Sequence, residues 1–295
     1  MNRLRSLAIA CLFPVVSLAH TGEPLELHYL CSAWEFDPGV IIPLAISALL
    51  YVIGSRRHRG LTRVQRTCFW AGWLSLTLAL ISPVHPLGEV LFSAHMVQHE
   101  VLMLVSAPLL VLSRPLVTFL WAMPFEWRRV VGRWSKTNPI RGTWLWLTLP
   151  FTAWLIHGVA IRLWHAPFLF QATLKSDPVH TAQHLSFLFS ALLFWWALIQ
   201  GHGRRAYGSG LLYLFMTAVH TGILGALLTF APRVWYPVYG TTAEAWGLSP
   251  LQDQQIGGLI MWVPASLVYL VAGLAMFGAW MKESDGLLEK VPGAK

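Results

Sequence analysis

His95 and His99 stand four residues apart at the head of an apolar run that reaches Leu112. On a helix both imidazoles project from one face, about one turn apart. His180 and His184 repeat that spacing in His180-Thr-Ala-Gln-His184, at the head of another apolar run, and His220 lies near the middle of a third. Imidazole nitrogens bind zinc, copper, iron and nickel. The pattern therefore predicts a metal site with His95, His99, His180, His184 and His220 as ligands. His157, His165, Asp253, Met261 and Met103 lie at similar levels of their runs and could complete the site or line its cavity. A single buried histidine is ordinarily a hydrogen-bonded packing residue, which accounts for His157 alone; two i,i+4 pairs with His220 beneath them call for a ligand.

The residues around the pairs narrow the chemistry. The chain has no HExxH, so the general base of a zinc protease is missing. GxSxG, nucleotide-binding loops and paired carboxylates are absent too, and the sequence is expected to be a binding protein and not an enzyme. Thioethers near the histidines (Met96, Met103, Met216, Met261) suit copper, whose reduced form accepts sulfur. Haem is the alternative, since histidines on facing helices supply axial ligands and Gly222, Gly225, Gly257 and Gly258 could admit the macrocycle. Near the N-terminus, His20, His28 and Cys31 form a second, speculative copper-binding set.

The elements that must position these residues are membrane spans. Of 295 residues 56% are hydrophobic and only 12% charged, against ~25% charged in soluble domains. Seven runs approach the ~20 residues that cross hydrocarbon: about 38–54, 68–84, 92–112, 143–163, 179–200, 209–230 and 255–280. The net charge of +8 belongs to the loops, which argues for membrane topology and against nucleic acid. Residues 1–19 read as a signal peptide: Arg3 and Arg5, a short apolar core, and Ser17-Leu18-Ala19 before a cleavage point. Residues 20–37 form a periplasmic segment, 38–282 the transmembrane domain and 283–295 a cytoplasmic tail.

Arg56, Arg57, Arg59, Arg63 and Arg66 follow the first span, and Arg114, Arg128, Arg129, Arg133, Lys136 and Arg141 the third. Arg204 and Arg205 follow the fifth, and Lys282, Lys290 and Lys295 the seventh. The opposite side carries Arg162, Lys175 and Arg233. By the positive-inside rule the basic side is cytoplasmic, the mature N-terminus is outside and the C-terminus inside. Of 12 histidines only His58 and His202 then fall on the cytoplasmic side. The fold class expected is an all-α polytopic membrane bundle of seven transmembrane helices, its metal site facing the periplasm. The aromatic stretch 231–254 is expected to fold onto the bundle mouth.

His95-Met-Val-Gln-His99, Ala107-Pro-Leu-Leu-Val-Leu-Ser-Arg-Pro115, Trp164-His-Ala-Pro167, His180-xxx-His184, His220 and Asp253-Gln-Gln-xx-Gly-xxx-Met261-Trp262 occur in this order. Together they resemble the CtaG family of polytopic assembly factors for bacterial haem-copper cytochrome c oxidases. The resemblance covers about residues 38–280 and implies a bacterial inner-membrane protein that helps deliver or insert copper into an oxidase subunit. Periplasmic copper chaperones would be further partners, besides membrane lipid. The remaining alternatives are a haem-binding membrane protein and a structural assembly partner without metal.

Overall fold

In hydrocarbon a chain must satisfy its own backbone, and long apolar runs do so as helices. The computed structural model describes residues 32–200 and 204–288, and among these there is no strand. The expected signal peptide, His20, His28 and Cys31 lie outside the described residues. Four of the long apolar helices are α1 (Pro38–Arg57), α11 (Asp177–Ile199), α12 (Arg204–Thr229) and α13 (Pro250–Leu288). A fifth apolar span, Phe92–Ser113, is composite: α4 (Phe92–Glu100), a π-helical stretch Val101–Ser106, and α5 (Ala107–Ser113).

Two further spans are bent pairs. α2 (Arg63–Ile81) and α3 (Val84–Val90) meet at 44°, and α8 (Asn138–Leu147) and α9 (Pro150–Trp164) at 65°. Both bends follow from proline. Ser82 precedes Pro83 with ψ 169°, and Leu149 precedes Pro150 with ψ 134°; a residue before proline is driven from the α region into extended backbone. With each bent pair counted once, the described residues hold seven helical stretches long and apolar enough to cross a membrane, the number the sequence predicts.

The π-helical stretch also has a local cause. Pro108 has no N–H to give the Leu104 carbonyl, and the widened turn ahead of it absorbs the loss. Within the stretch, the Met103 carbonyl accepts a hydrogen bond from Trp195 Nε1 at 2.8 Å, tying the span to α11. Arg114, in the left-handed region at φ 51°, turns the chain into α6 (Pro115–Ala122), and its guanidinium donates to Gln200 Oε1 at 3.1 Å. α7 (Phe125–Trp134) buries no residue against the bundle. Its mixture of tryptophans and arginines suits a helix lying in the membrane interface.

α12 and α13 form the most extensive helix pair, and glycine makes their approach possible. A Cβ on Gly258 would sit 2.6 Å from the Thr229 nitrogen, and one on Gly225 would sit 2.9 Å from the Gly258 oxygen. Small residues that let backbones meet are the usual means of packing membrane helices. The central core joins Met103, Phe187, Phe194, Trp195, Tyr213 and Tyr269. Leu212, Phe215, Ile223, Leu267 and Leu274 point outward, each more than half exposed, as side chains in lipid contact do.

The end of the bundle that carries the histidines is built differently from the arginine-rich end. It gathers α3, the start of α4, α10 (Pro167–Thr173), the start of α11 and the aromatic stretch before α13. That stretch folds inward as expected. Tyr236 donates to the His165 carbonyl (2.9 Å), Tyr239 to the Gly88 carbonyl (3.1 Å) and Thr242 to the Val90 carbonyl (2.6 Å).

Candidate metal centre

The helix that carries His95 and His99 begins without a cap of its own, since Leu91 at the N-cap position has no side chain to accept a bond. The missing acceptor comes from α13. Asp253 takes hydrogen bonds from the Phe92 nitrogen at 2.6 Å and the Ser93 nitrogen at 3.1 Å, and from the Ser93 hydroxyl. A carboxylate at a helix N-terminus satisfies free N–H groups and opposes the helix dipole. Asp253 thus fixes α4; it is placed on the helix start and not among the histidines. Gly88 lets α3 lie directly against α4, where a Cβ would come within 3.2 Å of the His95 Cα.

With α3, α4 and α11 held together, five imidazoles form a continuous cluster. Ring centroids are 4.3 Å apart within each pair, His95–His99 and His180–His184. Across the helices, His95 stacks on His180 at 5.2 Å and His99 meets His184 at 5.3 Å. His85, from α3, stacks on His180 at 5.2 Å and lies 5.9 Å from His184. Two trios bring one donor atom from each residue within 4.8 Å: His95, His99 and His184, and His85, His180 and His184. Three nitrogens at about 2.0–2.1 Å from one ion are spaced roughly 3.3–3.6 Å, so modest side-chain rotation closes either trio.

Burial makes this arrangement demanding. His95 is 0% and His99 1% exposed, with Phe170 and Phe187 packed against their rings. Neither ring nitrogen of His99 has a hydrogen-bond partner, nor does His95 Nδ1, His180 Nε2 or His184 Nε2. A buried polar atom left unpaired costs about 1–3 kcal/mol, and here several such atoms converge. Unpartnered imidazole nitrogens gathered in a buried cluster are what a cation would satisfy, so the residues present fit a metal ion.

Two glutamines brace the cluster crosswise. Gln183, on α11, sets its Oε1 3.3 Å from His95 Nε2. Gln98, on α4, donates to His85 Nδ1 at 2.8 Å and to the Ala79 carbonyl at 2.7 Å. His85 Nε2 in turn faces Glu35 Oε2 at 3.3 Å, and the Glu35 backbone is tied to the Ile81 carbonyl. Such outer partners fix ring orientation and tautomer in metal sites. His85, Glu35, Gln98 and Gln183 were not among the expected site residues. The sequence does hold a signal for the glutamines, since each sits immediately before the second histidine of its pair.

The other expected residues go elsewhere. His165 is a neighbour, its ring 6.2 Å from His99. Its Nδ1 donates to the Ile161 carbonyl at 2.7 Å, which leaves a buried, unpartnered lone pair on Nε2. Burial pushes its pKa down to about 4, against the upward pull of that carbonyl. His157 pairs with the Ser190 hydroxyl at 2.9 Å. His220 lies beside Trp154 and over Gly158, where a Cβ would be 3.3 Å from its Nε2; it belongs to neither trio. Met103 packs in the central core, and Met261 in an apolar cluster with Phe92, Met96 and Phe170.

Residues 49–283 match the family described as cytochrome c oxidase caa3 assembly factor (Caa3_CtaG). The chain belongs to this family. The matched stretch includes both i,i+4 pairs, His95/His99 and His180/His184, as well as His85. Among curated proteins, one from Mycobacterium leprae (strain TN) is 26% identical over 278 residues, 88% of this chain and 41% of its own length. One from Mycobacterium bovis is 26% identical over 277 residues, with the same coverages. Both carry the description uncharacterised protein, and the chain spans about two fifths of their length. No solved structure matches the chain.

Proposed function

We propose that the protein binds copper in the histidine cluster and passes it to a cytochrome c oxidase subunit during assembly of the oxidase. The observation that carries this reading is the convergence of buried His95, His99 and His184, each with an unpartnered ring nitrogen. The family's description as oxidase assembly factors supplies the context, because haem-copper oxidases need copper inserted as they mature. Imidazole donors without a carboxylate in either trio suit copper. The ion is cargo, and no bond is made or broken in it.

Haem receives less support. The five rings lie against one another, and Phe170 and Phe187 close the sides. Gly225 and Gly258 serve the contact of α12 with α13, Gly222 faces Trp262, and Gly257 faces Phe92. All four positions that could have admitted a macrocycle have packing roles. A purely structural assembly role would leave the unpartnered nitrogens without a purpose.

The distribution of bases favours an arginine-rich cytoplasmic end and a histidine end open to the periplasm, where copper chaperones would supply the ion. Purification in mild detergent tests the reading. Copper at about one per chain in the wild type, lost in His180→Ala/His184→Ala, supports it. A Soret band with stoichiometric iron would replace copper by haem.

A further inference from the structure

We infer that the cluster is a two-position relay: an outer copper position made by His85, His180 and His184, and an inner one made by His95, His99 and His184, with the ion moving between them by ligand exchange on His184. This rests on the copper reading above. It adds His85 as a ligand, Glu35 as its positioning residue, and an order of events.

Two trios share one residue. Each offers three donor atoms within 4.8 Å, and His184 belongs to both. One imidazole serves one ion at a time in this geometry, so the positions are alternatives and the stoichiometry stays at one. They differ in access. The His85 side chain retains 17% exposure and Glu35, beside it, 37%, whereas His95 and His99 are sealed. The outer trio is therefore where an ion from solvent or from a donor protein arrives, and the inner trio is where it is held dry.

His85 is prepared for that task. It accepts a hydrogen bond from Gln98 on Nδ1, which leaves the proton on Nε2, facing the Glu35 carboxylate. When Nδ1 binds the ion, Gln98 keeps its bond to the Ala79 carbonyl, and Glu35 still holds the far side of the ring. A carboxylate behind a ligating imidazole orients it and raises its basicity. Gln98 is next to His99 in the chain, so the group released when the outer position fills lies on the helix of the inner one. In the transfer, His85 and His180 leave as His95 and His99 join. Each binds as a neutral imidazole, His85 through the Nδ1 lone pair that Gln98 gives up, so the charge on the site is constant and no proton has to be taken up or released.

The test uses the full-length protein in detergent, copper(I), and a chromophoric copper(I) chelator that reports stoichiometry and the rates of loading and release. Wild type should hold one copper. His85→Ala should still hold one, on the inner trio, with loading and release slowed at least tenfold. His99→Ala should also hold one, on the outer trio, and lose it to the chelator at least tenfold faster than wild type. His184→Ala should hold none. Glu35→Gln, a mild change at the exposed mouth, should weaken the outer position about tenfold and slow loading in step, which guards against misfolding of His85→Ala. Wild-type rates in both His85→Ala and Glu35→Gln, or loss of all copper in a helical, monodisperse His99→Ala, would overturn the relay while leaving copper binding intact. A wild-type protein that binds no copper would overturn both readings.

Discussion

Asp253 caps the helix of Ser93 from 160 residues away, accepting from its backbone nitrogen at 3.1 Å and from its hydroxyl. The histidine-bearing face of α4 is thereby set by α13, whose Asp253 stands outside both histidine trios. Folding α13 onto the bundle orients His95 and His99, and this link between packing and chemistry yields a first prediction. Asp253→Ala leaves two buried N–H groups at the start of α4 without an acceptor and should cost about 2–4 kcal/mol. Thermal unfolding in detergent should show a clear fall in midpoint, with copper binding weakened and not abolished. Loss of copper at an unchanged midpoint would instead make Asp253 a ligand.

His220 lies outside both trios, over Gly158 and beside Trp154. His220→Ala should therefore leave the copper stoichiometry at its wild-type value. Metal analysis of the purified variant checks this, and loss of the ion would restore His220 to the ligand set that the sequence alone predicts.

Gly258 faces backbone. A methyl there would meet the Thr229 nitrogen at 2.6 Å and the Gly225 oxygen at 2.8 Å, neither of which can rotate away. Gly258→Ala should destabilise the α12–α13 pair by about 1–3 kcal/mol, read as a lower unfolding midpoint. An unchanged midpoint would mean the two helices are not in contact there.

His165 gives a pH dependence with a definite sign. Its folded pKa is depressed to about 4 by burial, below the ordinary ~6.5. Between those values the unfolded chain binds the extra proton, so the contribution to stability is complete above about pH 6.5 and is lost as pH falls toward 4. The wild type should lose unfolding temperature over that window more steeply than His165→Phe. Parallel curves would show that the His165 environment is wetter than its burial indicates.

The sequence made the spans legible because length and apolarity are one-dimensional properties, and basic loops separate them. The bends at Pro83 and Pro150 were visible as residues, but runs 68–84 and 143–163 conceal that the chain turns there and continues. Helix rise predicts the depth of a side chain and says nothing about which neighbour it faces. That is why His95, His99, His180 and His184 come together as expected while His220, Met103 and Met261, at suitable depths, face other partners. His85 was hidden for another reason. It sits in the seven-residue helix α3, too short to show periodicity, and it reaches the cluster only because the chain bends at Ser82. Glu35 depends on the same bend through its tie to Ile81.

We propose that buried histidines on α4 and α11 hold copper for an oxidase. The most direct measurement is the copper content of the purified oxidase from cells whose only copy of this protein carries His95→Ala/His99→Ala. That oxidase should be deficient in copper and in activity, with the variant protein present at its usual level in the membrane. Full copper content and normal activity in that strain would contradict the proposal.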